Sequence, residues 1–110
     1  MPKAKQADGA VDLEELPNVG PATAADLRRL GIERPGQLIG QDPLEMYERL
    51  GRLSGARQDP CVLDVFLAVV RFMEGGPDLP WWAFTPQRKR LLAGFQEALA
   101  GGAPGGLTPP

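Results

Sequence analysis

Residues 16–24 have the types and the spacing needed to bind an anion through the backbone. They read Leu-Pro-Asn-Val-Gly-Pro-Ala-Thr-Ala, which predicts a tight turn followed by a helix that begins at Pro21. The first amides of a helix lack an intrahelical partner, and the helix dipole places partial positive charge there. Because Pro21 has no N–H group, we expect those of Gly20, Ala22 and Thr23 to converge on one phosphate oxygen, whatever the base.

The turn itself contains two residues that favour an unusual backbone. Asn18 and Gly20 are types that tolerate a positive φ, which a sharp turn between helices requires, and Asn18 is therefore grouped with the anion-binding residues. Val19 between them is expected to point inward and pin the turn. The same turn could serve only to connect two helices, and its sequence alone favours neither interpretation.

Four basic residues are candidates for further phosphate contacts. Arg88, Lys89 and Arg90 fill the first turn of the last expected helix, where the dipole disfavours positive charge by roughly a few tenths of a kcal/mol. That placement suggests a use, although a solvated face explains it equally well. Arg28 lies near the end of the helix that follows the turn and fits either interpretation.

Aromatic and thiol side chains offer two further chemistries. Trp81, Trp82 and Phe84 lie in a proline-flanked loop, where exposed rings could stack on unpaired bases. The interpretation that we favour is a lid on the core. Cys61 is expected to be a small buried hydrophobic residue, and a thiol activated by its helix N-terminus is the alternative.

Composition excludes several classes of function. The chain has no histidine and one cysteine, so it cannot build a Ser-His-Asp triad, a histidine metal site or an internal disulfide. Twelve basic and 14 acidic residues give a net charge of −2, which argues against nucleic-acid binding by a bulk positive field. The acidic residues Asp42, Glu45 and Glu48 are better explained by capping and solubility. We therefore expect neither an enzyme nor a bound cofactor or metal.

Targeting signals are also missing from the sequence. The longest apolar run is far short of the ~20 residues of a membrane span, and the polar N-terminus lacks the apolar region of a signal peptide. We therefore expect a cytoplasmic protein with no membrane partner.

Proline, glycine and capping residues divide the chain into short helices. Asp42, Asp59 and Thr85 each precede a proline and are expected to cap a helix, while Gly31 and Gly75 are expected to end one. The pattern predicts a compact all-α fold of five to six short helices, at about 11–16, 21–30, 35–40, 43–53, 60–74 and 86–100. It further predicts flexible tails at 1–11 and 101–110, on either side of one domain at 12–100.

The helix expected at 60–74 is apolar around almost its whole circumference. Asp64, Arg71 and Glu74 make its one polar line. Such a helix is either central to the bundle or shared with a second subunit, and central burial is the interpretation that we favour.

The turn and the helix after it resemble the helix-hairpin-helix motif, whose core is apolar-Gly-apolar-Gly. Gly20 is the second glycine, Asn18 replaces the first, and Ala22 stands where the motif often has lysine. The resemblance implies a SAM-like fold, phosphate contact through the turn amides and a monovalent cation on the turn carbonyls.

Five segments carry a wider resemblance, at residues 16–21, 26–32, 42–47, 59–64 and 80–85. Over residues 12–90 the order of these motifs resembles the pathogenicity-locus family of bacterial proteins, also called mitomycin-resistance proteins. The first half is also similar to the C-terminal domain of TfoX-type competence regulators. The family resemblance implies a DNA-related function in repair or stress and gives no catalytic residue.

Two functions of different classes follow from these residues. The first is DNA binding without sequence preference, through the turn amides with help from the basic residues. The second is a protein-interaction module or a homodimerising domain without DNA contact. The net charge, the alanine at position 22 and the apolar helix 60–74 favour the second function.

Overall fold

The computed structural model describes the backbone of residues 3–101 and the side chains of residues 3–94. Four α-helices occur in this part of the chain: α1 (Pro21–Arg29), α2 (Pro43–Ser54), α3 (Pro60–Met73) and α4 (Thr85–Gly101). Four short 3-10 turns lie between or before them, at Ala7–Gly9, Leu13–Glu15, Pro35–Leu38 and Trp81–Phe84. No strand occurs among residues 3–101, so the all-α prediction is confirmed for them.

The prediction of five to six helices was too high. The segments expected as helices at 11–16 and 35–40 form 3-10 turns of three and four residues. Pro17 removes a backbone donor just after the first segment, and Gly36 and Gly40 weaken the second. Neither segment has enough residues to offset the cost of nucleating an α-helix.

Capping residues set the ends of the helices largely as the sequence predicts. Oδ1 of Asp42 accepts hydrogen bonds from the amides of Leu44 and Glu45 at 3.0 and 3.4 Å. Oδ1 of Asp59 accepts one from the amide of Cys61 at 2.9 Å. The left-handed glycines follow the ends of α1 and α3, with φ of 84° at Gly31 and 94° at Gly75.

Helix α3 is the centre of the fold. It packs against α2, α4 and the turn Trp81–Phe84, and nine of its residues are buried within this single chain. Each fully buried large apolar side chain contributes about 1.5–3 kcal/mol. Central burial of α3 is therefore confirmed.

The N-terminal segment lies against this core. Ala4, Ala7 and Ala10 pack on it, and the amide of Ala4 donates to the carbonyl oxygen of Glu15 at 2.7 Å. The flexibility of residues 1–11 stays a prediction, and residues 102–110 of the expected C-terminal tail lie outside the described part of the chain.

None of the helices described here combines the length and the apolar character that crossing a membrane requires.

Candidate nucleic-acid interface

The turn before α1 is pinned from inside, as predicted. Val19 is buried, and its amide donates to the carbonyl oxygen of Leu16 at 3.2 Å. Asn18 has a φ of 71°, which confirms the predicted left-handed residue. The corresponding prediction for Gly20 was wrong, because its φ of −105° and ψ of −171° are the extended values typical of a residue that caps a helix.

The N-terminus of α1 is open, unlike those of α2 and α3. Gly20 caps α1 and offers no side-chain oxygen to the first amides, whereas aspartates cap the other two helices. Gly20 and Ala22 are exposed and Thr23 is half-buried. A Cβ atom built on Gly20 would meet nothing within 4 Å, so an incoming group has room to approach the backbone. These positions keep the access that phosphate binding requires.

The side chain of Asn18 joins the turn to the tryptophan loop (residues 79–84). Its Nδ2 donates to the carbonyl oxygen of Leu79 at 2.9 Å, and its Oδ1 accepts from the amide of Trp81 at 3.0 Å. Both hydrogen-bonding groups of this side chain are thus engaged within the protein. The sequence indicates the backbone conformation of Asn18 and gives no signal for these partners.

Arg88 binds the buried carboxylate of Asp64, a residue of the polar line expected on α3. Asp64 has no exposed surface, and its Oδ1 accepts from Nε of Arg88 at 2.8 Å. Its Oδ2 accepts from Oγ1 of Thr85 at 2.5 Å. Thr85 is itself helical rather than the residue before the helix, so its predicted capping role was wrong. These three residues form a polar cluster that holds the start of α4 against α3.

The other predicted basic residues divide into two groups. Lys89 and Arg90 are exposed in the first turns of α4, directly after the tryptophan loop. Arg28 is also exposed, but it is six residues beyond Ala22 on the nine-residue helix α1. That separation corresponds to about 9 Å along the helix axis, so Arg28 does not flank the open amides.

The two tryptophans have different surroundings. Trp81 and Phe84 are half-buried, and Phe84 packs against the core, as a lid requires. Trp82 is 62% exposed, so the lid interpretation was wrong for this residue. The two indole rings meet edge to face, with centroids 5.5 Å apart and an interplanar angle of 85°.

Cys61 does not have the surroundings of an activated thiol. It is half-buried at the start of α3. Burial raises the pKa of its thiol, and a hydrogen bond with the Asp59 carboxylate acts in the same direction. This direction of the pKa disfavours a thiolate activated by the helix N-terminus. Because Cys61 is half-buried, it is also not the fully buried hydrophobic residue that the sequence predicts.

A cation of the chain itself occupies carbonyl oxygens of the turn. The ammonium group of Lys3 donates to the carbonyl oxygen of Glu14 at 2.6 Å and to that of Val19. A free monovalent cation on the Val19 carbonyl would have to compete with this ammonium group. No cluster of three metal-ligating side chains occurs among the described residues.

Comparison with known proteins places the chain in a family. Residues 6–90 match the family described as pathogenicity locus. The chain belongs to the pathogenicity-locus family. A relative, the mitomycin resistance protein McrB of Streptomyces lavendulae, is 48% identical over 98 residues, which cover 89% of this chain and 92% of the relative. No solved structure matches this pathogenicity-locus chain significantly.

Proposed function

We propose that the chain binds DNA without sequence preference, through the backbone amides at the start of α1. The observation that carries this proposal is the open N-terminus of α1, where Gly20 and Ala22 are exposed and no side chain caps the helix. Amides at such a position can bind one phosphate oxygen, and they do not distinguish one base from another.

We propose that the surroundings of α1 form a helix-hairpin-helix element in a shortened form. The segment before the turn is the three-residue 3-10 turn Leu13–Glu15, and the buried residues Leu16 and Val19 hold it in place. We propose that the turn presents the α1 amides as that motif does, with the Lys3 ammonium in the place of a free cation on the turn carbonyls.

The charges of the chain predict a modest affinity for DNA. The net charge is −2 and position 22 is alanine, so the amides act without an adjacent lysine. Lys89 and Arg90 are the exposed basic residues that we propose as further phosphate contacts. A few such contacts give binding that weakens as salt rises, with a slope of about −0.9 per phosphate on B-DNA.

Opposite charges at position 22 test this proposal with one pair of variants. Ala22→Asp places a carboxylate in the first turn of α1, where the helix dipole stabilises it, so folding is retained while phosphate is repelled. Ala22→Lys adds a cation at the same place. We expect anisotropy titrations with labelled DNA at low salt to give weaker binding for Ala22→Asp and tighter binding for Ala22→Lys.

A matched control uses the same charge changes at Ala56, an exposed alanine in the loop after α2. Ala56→Asp and Ala56→Lys should change affinity far less than the pair at position 22. Equal effects at both positions would overturn the specific role of the α1 amides. If the unmodified chain binds no DNA at low salt and sediments as a self-associated species, the homodimerising function replaces DNA binding.

We propose further that the chain contributes to mitomycin resistance. The support is its 48% identity to the mitomycin resistance protein of Streptomyces lavendulae over nearly the full length of both chains. Expression in a mitomycin-sensitive bacterium should raise survival on the drug, and Ala22→Asp should remove that gain if DNA binding underlies it. Equal survival with and without the chain would contradict this role.

A further inference from the structure

Among the aromatic residues whose side chains the structure describes, Trp82 is the one that is largely exposed. It is 62% exposed, whereas tryptophan is highly buried on average in folded proteins. Its neighbours Trp81 and Phe84 are half-buried. Trp82 therefore has an indole surface that the core does not use.

The element that carries Trp82 is fixed at both ends. Asn18 binds the backbone of Leu79 and Trp81 on one side. On the other side, the Thr85 hydroxyl donates to the buried carboxylate of Asp64. Hydrogen bonds thus anchor the segment to the turn before α1 at one end and to α3 at the other.

Within this segment, local contacts fix the ring further. The amide of Ala83 donates to the carbonyl oxygen of Pro80 at 3.0 Å, which closes the 3-10 turn. The ring of Trp81 meets that of Trp82 edge to face at 5.5 Å. A ring held on a constrained backbone loses little conformational entropy when a ligand stacks on it.

We propose that Trp82 stacks on an unpaired base, so that the chain prefers single-stranded DNA to duplex DNA. Proteins that bind single strands combine contacts to the phosphate backbone with an aromatic ring on which a base stacks. In an intact duplex each base is already stacked on its neighbours and presents only its edges in the grooves. This inference rests on the proposed function and names the form of DNA that it concerns.

Beside the loop, two exposed basic side chains outweigh one exposed acidic side chain, and this balance favours a nucleic acid over an apolar protein surface. Lys89 and Arg90 are exposed one to two turns after the loop ends, and Asp78 is an exposed acidic residue just before it begins. The two hydrogen bonds of the Asn18 side chain also join the loop to the turn that carries the open amides of α1. One strand could then place a phosphate at the amides while a neighbouring base stacks on Trp82.

Anisotropy titrations at low salt with two labelled probes test this inference. One probe is oligothymidylate of about 12 nucleotides, a length within the range that single-strand-binding folds cover, and the other is a mixed-sequence duplex of the same length. We expect the unmodified chain to bind the single strand more tightly. Trp82→Ala should weaken single-strand binding by about tenfold or more, as expected for the loss of one base–aromatic stack, and should change duplex binding less than about twofold.

Two further variants separate stacking from general damage. Trp82→Phe keeps an aromatic face and should restore most of the single-strand affinity. Leu53→Ala removes another exposed apolar side chain, on α2, and should leave both affinities unchanged.

The outcomes distinguish this inference from the proposed function. If both probes bind and Trp82→Ala affects them equally or not at all, the stacking role is overturned while DNA binding stands. If neither probe binds the unmodified chain at low salt, the proposed function fails and the stacking role fails with it. If Trp82→Ala weakens binding of the single strand alone, and Trp82→Phe keeps most of that binding, the inference is supported.

Discussion

The side chain of Asn18 donates a hydrogen bond to the carbonyl oxygen of Leu79, which lies 61 residues further along the chain. The same side chain accepts one from the amide of Trp81, so both of its polar atoms bind the tryptophan loop. One residue in the turn before α1 therefore shapes the turn, through its left-handed backbone, and positions the aromatic loop beside it.

Substitution of Asn18 should separate these two roles. Asn18→Gly keeps access to a φ of 71° and loses both side-chain hydrogen bonds, while Asn18→Ala also pays the strain of a left-handed residue. We expect losses in the free energy of unfolding of about 1–3 kcal/mol for the first and about 2–4 kcal/mol for the second. Urea denaturation measures both.

Tryptophan emission gives the matching readout for the loop. Release of the loop exposes Trp81, so the emission of both Asn18 variants in their folded state should shift to the red. If both variants are as stable as the unmodified chain and their emission is unchanged, the hydrogen bonds of the Asn18 side chain contribute nothing to stability or to the position of the loop.

The polar cluster around Asp64 is expected to be a structural element. Arg88→Met removes the partner of a carboxylate that has no exposed surface, and breaking such a buried pair costs about 3–5 kcal/mol. Replacing both partners, as Asp64→Leu with Arg88→Met, removes the uncompensated charge and should recover much of that loss. A double variant less stable than Arg88→Met, by urea denaturation, would contradict this account.

The fold was predictable from the sequence where the signals are local. Aspartate–proline pairs mark the starts of α2 and α3, and the apolar circumference of α3 indicates its central place. The helices expected at 11–16 and 35–40 were wrong because segments of this length do not offset the cost of helix nucleation, and Pro17, Gly36 and Gly40 weaken them further.

The site was predictable only in part, because two of its contacts join segments that are far apart in the sequence. The open amides of α1 follow from a glycine cap and a proline, both visible in the sequence. The contacts of Asn18 with Leu79 and of Asp64 with Arg88 join residues 61 and 24 positions apart, and no spacing rule connects them. An aspartate among the apolar residues of α3 was the one available signal, since a buried charge requires a partner.

Acid should weaken the fold through Glu15. The amides of Asp12 and Val11 donate to its Oε1 at 2.8 and 2.9 Å, and they lower the pKa of this carboxyl below its usual 4.5 because they stabilise the charged form. A carboxyl group whose pKa is lower in the folded state than in the unfolded state stabilises the fold at pH values above its unfolded pKa. This stabilisation is lost as the pH falls through its folded pKa.

Glu15→Gln tests this sign directly, because glutamine keeps an acceptor oxygen and does not titrate. The unmodified chain should be the more stable of the two at pH 7. This difference in the free energy of unfolding, measured by urea denaturation, should shrink progressively as pH falls below about 4.5. A difference that is independent of pH would contradict the assignment.

Salt dependence should identify the basic residues that contact phosphate. Lys89→Gln and Arg90→Gln should each reduce the salt slope of duplex binding by about 0.9, because each removes one phosphate contact. Arg52→Gln removes an exposed cation on α2 and serves as the control. Binding isotherms across a range of salt concentrations give these slopes, and equal slopes for all three variants would exclude Lys89 and Arg90 as contacts.

The most direct test of the central claim is an NMR titration of the nitrogen-15-labelled chain with short single-stranded DNA at low salt. The account predicts that the amide signals of Gly20, Ala22 and Thr23 shift together and saturate as the oligonucleotide binds. Signals that stay in place at these three positions while others shift, or the absence of any binding, would contradict it.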